Sequence, residues 1–205
     1  GMSGRFSVNQ ADTLGEFVHT HDTNPKHDHV VFEMSSGAQI VYNDPRRFGF
    51  MELIAPGQPS RLDNLGPEPL SNAFNAPQLR AVMKAKKSKI KGVLLDQHVI
   101  AGLGNIYVCE ALFRAGISPK RAAGRLTVTE TESLITHIKD VIRDAIEAGG
   151  STLKDFAAAD GNLGYFQHRF DVYGREGEPC SKCEAPIKRI VQSGRSTFYC
   201  PPCQK

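Results

Sequence analysis

Cys180-Ser-Lys-Cys183 and Cys200-Pro-Pro-Cys203, separated by sixteen residues, decide how the end of this chain folds. Two CxxC pairs at that distance have the ligand spacing of a four-thiolate zinc site, with all four sulfurs converging on one soft cation. Between them, Ile187-Lys-Arg-Ile-Val191 and Ser196-Thr-Phe-Tyr199 read as short strands around Gln192-Ser-Gly194-Arg195. The result is a β-hairpin with Arg195 near its tip. So short a hairpin has almost no core of its own. The metal is therefore expected to supply much of its folding energy, and chelation to unfold it while sparing the helical domain. The duller reading is a pair of disulfides in a secreted protein. No secretory leader opens the sequence, and the spacing suits a metal better.

The composition sets wide bounds. A chain of 205 residues can form one large domain or two modest ones, and 40% hydrophobic with 23% charged residues is ordinary for a globular protein. No apolar run approaches the ~20 residues of a membrane span, so no membrane partner is expected. Of the five cysteines only Cys109 lies outside the thiolate set, inside a helical pattern. A buried free thiol beside a zinc site suits a reducing cytoplasm. The net charge of +3 does not by itself announce a polyanion binder. The distribution says more: Arg80, Lys84, Lys86, Lys87, Lys89 and Lys91 fall within twelve residues, and the hairpin region adds Lys182, Lys188, Arg189, Arg195 and Lys205. Such runs are usually solvated faces, but two of them flanking a zinc hairpin point toward nucleic acid.

Along the chain, residues 1–56 read as β structure. Val30–Met34 and Ala38–Tyr42 form a hairpin through Ser35-Ser-Gly37, and Arg47–Ile54 reads as a further strand. Residues 55–72, rich in proline and glycine, mark a linker. Helices follow: one with Pro77 in its first turn, a short one over Val93–Gln97, one from Asn105 to about Arg114, and a long one opened by Thr127 and Glu130. In the last, Leu134, Ile135, Ile138, Val141, Ile142, Ala145 and Ile146 form one apolar stripe, closed by Gly149-Gly150.

Between the two middle helices lies Gly102-Leu-Gly104-Asn105-Ile-Tyr107. Its glycines bring the backbone close to a ligand, and Asn105 is a good N-cap. A helix start with an amide beside it can bind a phosphate oxygen, with Lys91 close upstream. A capped turn without any ligand is the plainer alternative.

Leu95–Tyr107 continued by Glu110–Pro119 resembles the helix-two-turn-helix signature of the formamidopyrimidine-DNA glycosylases. Asp44-Pro-Arg-Arg-Phe-Gly49, Leu65–Leu70, Thr152–Phe156, Val172-Tyr-Gly-Arg175 and the whole zinc hairpin are similar to that family's other motifs, in family order. The resemblance implies an α+β protein. Its expected parts are the remnant of an N-terminal β-sandwich over residues 1–65, a helix-two-turn-helix domain over 66–150, a lesion-capping loop over 151–172 and a zinc hairpin over 173–205. It further implies bacterial base-excision repair, in which oxidised purines such as 8-oxoguanine or formamidopyrimidines are flipped out and removed and the abasic site is cut. The implied partners are one structural Zn²⁺ and double-stranded DNA with oxidised bases or abasic sites, in the cytoplasm at the nucleoid. By position, Asn105 and Lys91 would hold phosphates from one side and Arg195 from the other. Arg195 would also donate a proton in the second elimination. His27, Arg46 and Lys86 align with further DNA contacts. Met2, Arg46 and Phe48 would fill the gap left by the base, and Lys154 and Tyr173 would lie near DNA.

The chain opens Gly1-Met-Ser-Gly-Arg-Phe6, which resembles an internal family segment. The family's N-terminal proline nucleophile, its neighbouring glutamate and a β-domain lysine have no counterpart here. The 205-residue polypeptide is therefore expected to bind DNA without substantial catalysis. The resemblance implies a monomeric full-length protein, whereas an incomplete β-domain with an open edge is expected to self-associate or to be poorly ordered over residues 1–56. Two other readings stay open: an endonuclease VIII-type pyrimidine glycosylase, and a non-catalytic zinc protein that binds nucleic acid.

Overall fold

The computed structural model describes residues 4–9, 24–150 and 166–205. Met2, Lys154 and residues 151–165 of the expected capping loop lie outside these residues. The chain divides into two compact units, residues 1–57 with 148–167 and residues 58–147 with 168–205.

The first unit carries three antiparallel strands, β1 (Arg5–Asn9), β2 (Asp28–Glu33) and β3 (Gln39–Asn43), in the order β1-β3-β2. Gly37, at φ +83°, makes the tight turn between β2 and β3, as the hairpin signal required. Register places Phe6 and Val30 beside Tyr42, and Val8 and Phe32 beside Ile40, so these six apolar side chains share one face. Phe6, Val8 and Phe32 remain 48, 61 and 42% exposed on it.

The strand expected over Arg47–Ile54 is not formed. The Asp44 carboxylate accepts from the backbone N–H groups of Arg46 (3.3 Å) and Gly49 (2.8 Å), while the Arg47 N–H donates to the Asp44 carbonyl (3.2 Å). This side chain bends the chain into a local turn at the point where a ladder would begin, with Arg47 at φ +55°. A Cβ at Gly49 would collide with the Tyr42 hydroxyl, so any larger residue there would push the Tyr42 ring aside.

The second unit contains α1 (Ala76–Met83), α2 (Ile90–Leu94), α3 (Asn105–Arg114) and α4 (Val128–Glu147), then β4 (Lys188–Gln192) paired with β5 (Arg195–Tyr199). Asn75 caps α1 by accepting from the Gln78 N–H, with Pro77 in the first turn as expected. The short second helix starts and ends about three residues earlier than its apolar pattern suggests. Its first N–H, that of Ile90, is fixed to the Arg121 carbonyl at 2.9 Å, so a tertiary contact sets the boundary. From Val108 to Phe113 every residue of α3 is buried, the mark of a helix at the centre of a core. By contrast α4 buries a single stripe of Leu134, Ile135, Ile138, Val141 and Ala145, and leaves Ile146 exposed. None of the described helices is long and apolar enough to cross a membrane.

The capping box at the start of α4 is formed in both directions. The Thr127 N–H donates to Glu130 Oε2 (2.8 Å) and the Glu130 N–H donates to Thr127 Oγ1 (3.2 Å). Glu130 also accepts from Arg121 Nη2 at 2.9 Å. This guanidinium first, and the Thr127 N–H second, bring the Glu130 carboxyl down from its ordinary 4.5 to about 2. Between those values the unfolded chain holds the extra proton, so stability present above pH ~4.5 is lost as the pH falls toward ~2. The pair is about one-third exposed, and solvent screening reduces its worth to the order of 1 kcal/mol. Glu130→Gln should flatten the acid limb of a stability–pH curve from urea melts. An acid limb identical to that of the parent would show that the pair contributes nothing.

Candidate nucleic-acid interface

The cysteine pairs come together as their spacing implied. All four Sγ atoms lie within 4.8 Å of one another, with Cys180–Cys203 at 3.9 Å and Cys183–Cys200 at 3.4 Å. A tetrahedron with zinc–sulfur bonds of ~2.3 Å needs sulfurs ~3.8 Å apart, so the set fits zinc with little movement. No pair is joined as a disulfide. Burial opposes it, but the N–H groups of Lys182 and Cys183 and the neighbouring thiols bring Cys180 down to about 7. Burial pushes Cys200 up to about 12, and the adjoining thiols add to the push. These four residues form a site for one structural zinc, and the ion would supply the positive charge that lets all four become thiolates.

The hairpin is not free-standing, contrary to the expectation of a nearly coreless element. Cys109 and Phe113 of α3 share one apolar cluster with Val172, Cys180, Ile187, Phe198 and Cys200. Tyr173 packs edge-on against Phe198 with centroids 5.0 Å apart. The hairpin and the central helix are therefore two walls of one core.

Polar links from Asn105, Lys91 and Glu110 fix its position and that of the segment leading into it. The Ser196 carbonyl, one residue beyond Arg195, accepts from both Asn105 Nδ2 (2.9 Å) and Lys91 Nζ (3.1 Å). Lys91 donates a second bond to Thr197 Oγ1 at 2.6 Å. The Glu110 carboxylate, wholly buried, accepts three successive backbone N–H groups, those of Asp171 (2.8 Å), Val172 (3.1 Å) and Tyr173 (2.8 Å). Burial pushes the Glu110 carboxyl up, and those three N–H groups oppose the shift. Burial likewise lowers Lys91, with the nearby Arg195 charge adding to the effect.

The expected residues divide between the units. In the second unit, Asn105, Lys91, Tyr173 and the start of β5 at Arg195 come together. Arg195 is exposed at the hairpin turn, and Lys86 is exposed on the segment before α2. Two details differ from the sequence reading. Gly104 is the N-cap and Asn105 the first helical residue, its amide facing the hairpin. Lys91 is fully buried, because its ammonium is held by Ser196 and Thr197, and it does not face solvent where a phosphate would lie. Tyr173 is half-buried, its hydroxyl 3.5 Å from Asn105 Nδ2. In the first unit, His27 ends a short 3-10 turn and its carbonyl accepts the Asp44 N–H. The Arg46 guanidinium lies 5.3 Å from the centroid of Phe48, whose side chain is 68% exposed. Sequence reasoning missed Glu110, Ser196 and Thr197. The available signal was a lone carboxylate in the all-apolar run Val108–Phe113.

Three family models match the chain: the H2TH domain of formamidopyrimidine-DNA glycosylase over residues 65–157, the zinc finger found in FPG and IleRS over 177–205, and the N-terminal domain of formamidopyrimidine-DNA glycosylase over 1–51. A formamidopyrimidine-DNA glycosylase of Ruegeria pomeroyi is 57% identical over 210 residues, covering 100% of this chain and 74% of the relative. The chain belongs to the formamidopyrimidine-DNA glycosylase family. It spans about three quarters of the length of such relatives. Among solved glycosylases of this family, the MutM (Fpg) protein of Thermus thermophilus matches at 40% identity and TM-score 0.84, over 100% of this chain and 73% of that one. The Lactococcus lactis Fpg in complex with DNA containing an abasic site matches at 36% identity and TM-score 0.83, over 100% of this chain and 72% of that one.

Proposed function

We propose that this member of the family binds duplex DNA at oxidised purines and abasic sites, and that the second unit carries the grip on the sugar-phosphate backbone. The observation that supports this reading is the convergence at Ser196. A glycine-turned helix start and a zinc hairpin meet there, with the exposed Arg195 one residue before the carbonyl that Asn105 holds. An exposed guanidinium beside a helix start suits phosphate oxygens, and carrying both on a rigid backbone frame limits the ordering cost of binding. In this reading Asn105, Arg195 and Lys86 meet phosphates, and Lys91 acts through the hairpin it positions. Tyr173 buttresses Asn105. In the first unit His27 and Arg46 add backbone contacts, and the exposed Phe48, stacked under Arg46, enters the gap left by an extruded base.

The test is a fluorescence-anisotropy titration of the 205-residue protein against duplexes with an 8-oxoguanine, an abasic analogue or no lesion. Asn105→Ala and Arg195→Ala should each weaken binding about tenfold, the equivalent of ~1.4 kcal/mol. Undiminished affinity in both variants would overturn the two-sided grip.

A further inference from the structure

A second concentration of positive charge lies in the helical unit, apart from the residues gathered around Ser196. Lys87, Lys89, Lys120, Arg121 and Arg125 surround an open hollow of about 690 Å³. Only Arg121 of these five is ion-paired with a described carboxylate, that of Glu130. The hollow is rigidly framed. Residues 86–90 run antiparallel to residues 121–124, joined by Ile90 N–H to Arg121 O (2.9 Å), Ala123 N–H to Ser88 O (2.9 Å) and Gly124 N–H to Lys86 O (3.0 Å). Gly124 allows this approach, since a Cβ there would come within 3.1 Å of the Lys86 and Met83 backbone. The Lys120 ammonium is held 4.8 Å from the Tyr199 ring centroid.

We propose that this hollow is an additional binding site for phosphodiester groups, taking the duplex backbone beyond the stretch held by Asn105 and Arg195. Several like charges fixed on one frame repel one another, and among the described residues no acid compensates four of them. A polyanion relieves that repulsion, and a neutral or cationic partner does not. Position favours the same duplex. One rim begins at Lys87, next to Lys86. The other touches the hairpin turn, where Gln192 Nε2 donates to the Pro119 carbonyl at 3.1 Å and Gln192 pairs with Arg195. The hollow presents charge without base-reading geometry, so its contribution is sequence-independent and equal for damaged and undamaged DNA. This inference rests on the proposed duplex binding.

The experiment measures log Kd against log salt for the parent, for Lys87→Gln/Lys89→Gln/Arg125→Gln, and for the same variant with Lys120→Gln added. The triple variant spares the Lys120–Tyr199 contact and so leaves the hairpin undisturbed. Each lost phosphate contact lowers the salt slope by ~0.9, so the triple variant should lose roughly 2 to 3 from its slope. Its ratio of affinities for lesion and intact duplexes should stay unchanged. A parental slope in a variant with full zinc content and unaltered circular dichroism would overturn the proposal. So would a variant that loses only its response to inorganic pyrophosphate and keeps the parental slope on DNA, since the hollow would then take free phosphate. If Asn105→Ala and Arg195→Ala leave binding intact while the triple variant lowers the slope, the hollow stands and the Ser196-centred grip falls. If the parent binds no duplex, both fail.

Discussion

Glu110→Ala should destabilise the second unit by on the order of 4 kcal/mol or more. The substitution leaves the N–H groups of Asp171, Val172 and Tyr173 buried and unpaired. Each such donor costs ~1–3 kcal/mol when it loses its acceptor, and bonds to a charged group sit at the high end. Glu110→Gln separates this cause from lost packing, because it keeps the shape. Its carbonyl can still serve Val172 and Tyr173, which both donate to Oε1, but its NH₂ would then face the Asp171 N–H. One bond of the three is lost and two donors are opposed, so the cost should be about half that of alanine. Urea denaturation of the three proteins measures both differences. An alanine variant within ~1 kcal/mol of the parent would mean that water replaces the carboxylate without penalty, and the carboxylate would lose its place as the anchor of this loop.

Removing the metal, by a strong chelator or by Cys200→Ser, should unfold the hairpin and loosen α3 with it. Thiolate zinc sites in small fingers are worth ~10–16 kcal/mol of apparent binding free energy. A whole domain has only ~5–15 kcal/mol in hand, so the ion cannot be a minor ornament. The sequence alone suggested that the helices would be spared. The shared cluster argues otherwise, since Phe113 and Cys109 are covered by Phe198, Ile187 and Cys200. Hydrogen exchange read by mass spectrometry should therefore show lost protection over residues 177–205 and in α3, with α4 less affected. Metal analysis should fall from one zinc per chain to none. Retained protection in the hairpin after verified zinc loss would show that the apolar cluster alone holds it.

The legible parts of this molecule were those fixed by local chemistry. The thiolate pairs, the Thr127–Glu130 box, the Gly37 turn and the stripe of α4 each have a spacing that a local interaction sets. The strand expected over Arg47–Ile54 failed because Asp44, three residues upstream, spends its carboxylate on two backbone N–H groups. Hydrophobic alternation carries no trace of that competition. The misplaced start of the second helix has the same origin, a bond to Arg121 more than thirty residues away in sequence. At the site, charge and resemblance pointed to Asn105, Lys91 and Arg195 but could not say which faced outward. Burial separates them. Lys91 is enclosed because a main-chain carbonyl and a hydroxyl from a distant strand satisfy it, and no sequence pattern encodes that meeting. Glu110 escaped notice for the opposite reason, since a carboxylate amid apolar neighbours looks like an ordinary solvent-facing interruption of a helix.

The double acceptance at the Ser196 carbonyl has a thermodynamic corollary. One oxygen belongs to the metal-folded strand and answers to two side chains on the helical scaffold, so whatever steadies one partner steadies the other. Occupancy by a nucleic acid and retention of the cation then become mutually reinforcing equilibria, raised by the same factor in either order. A protein engaged on its lesion would hold its ion more tightly than one adrift in solution.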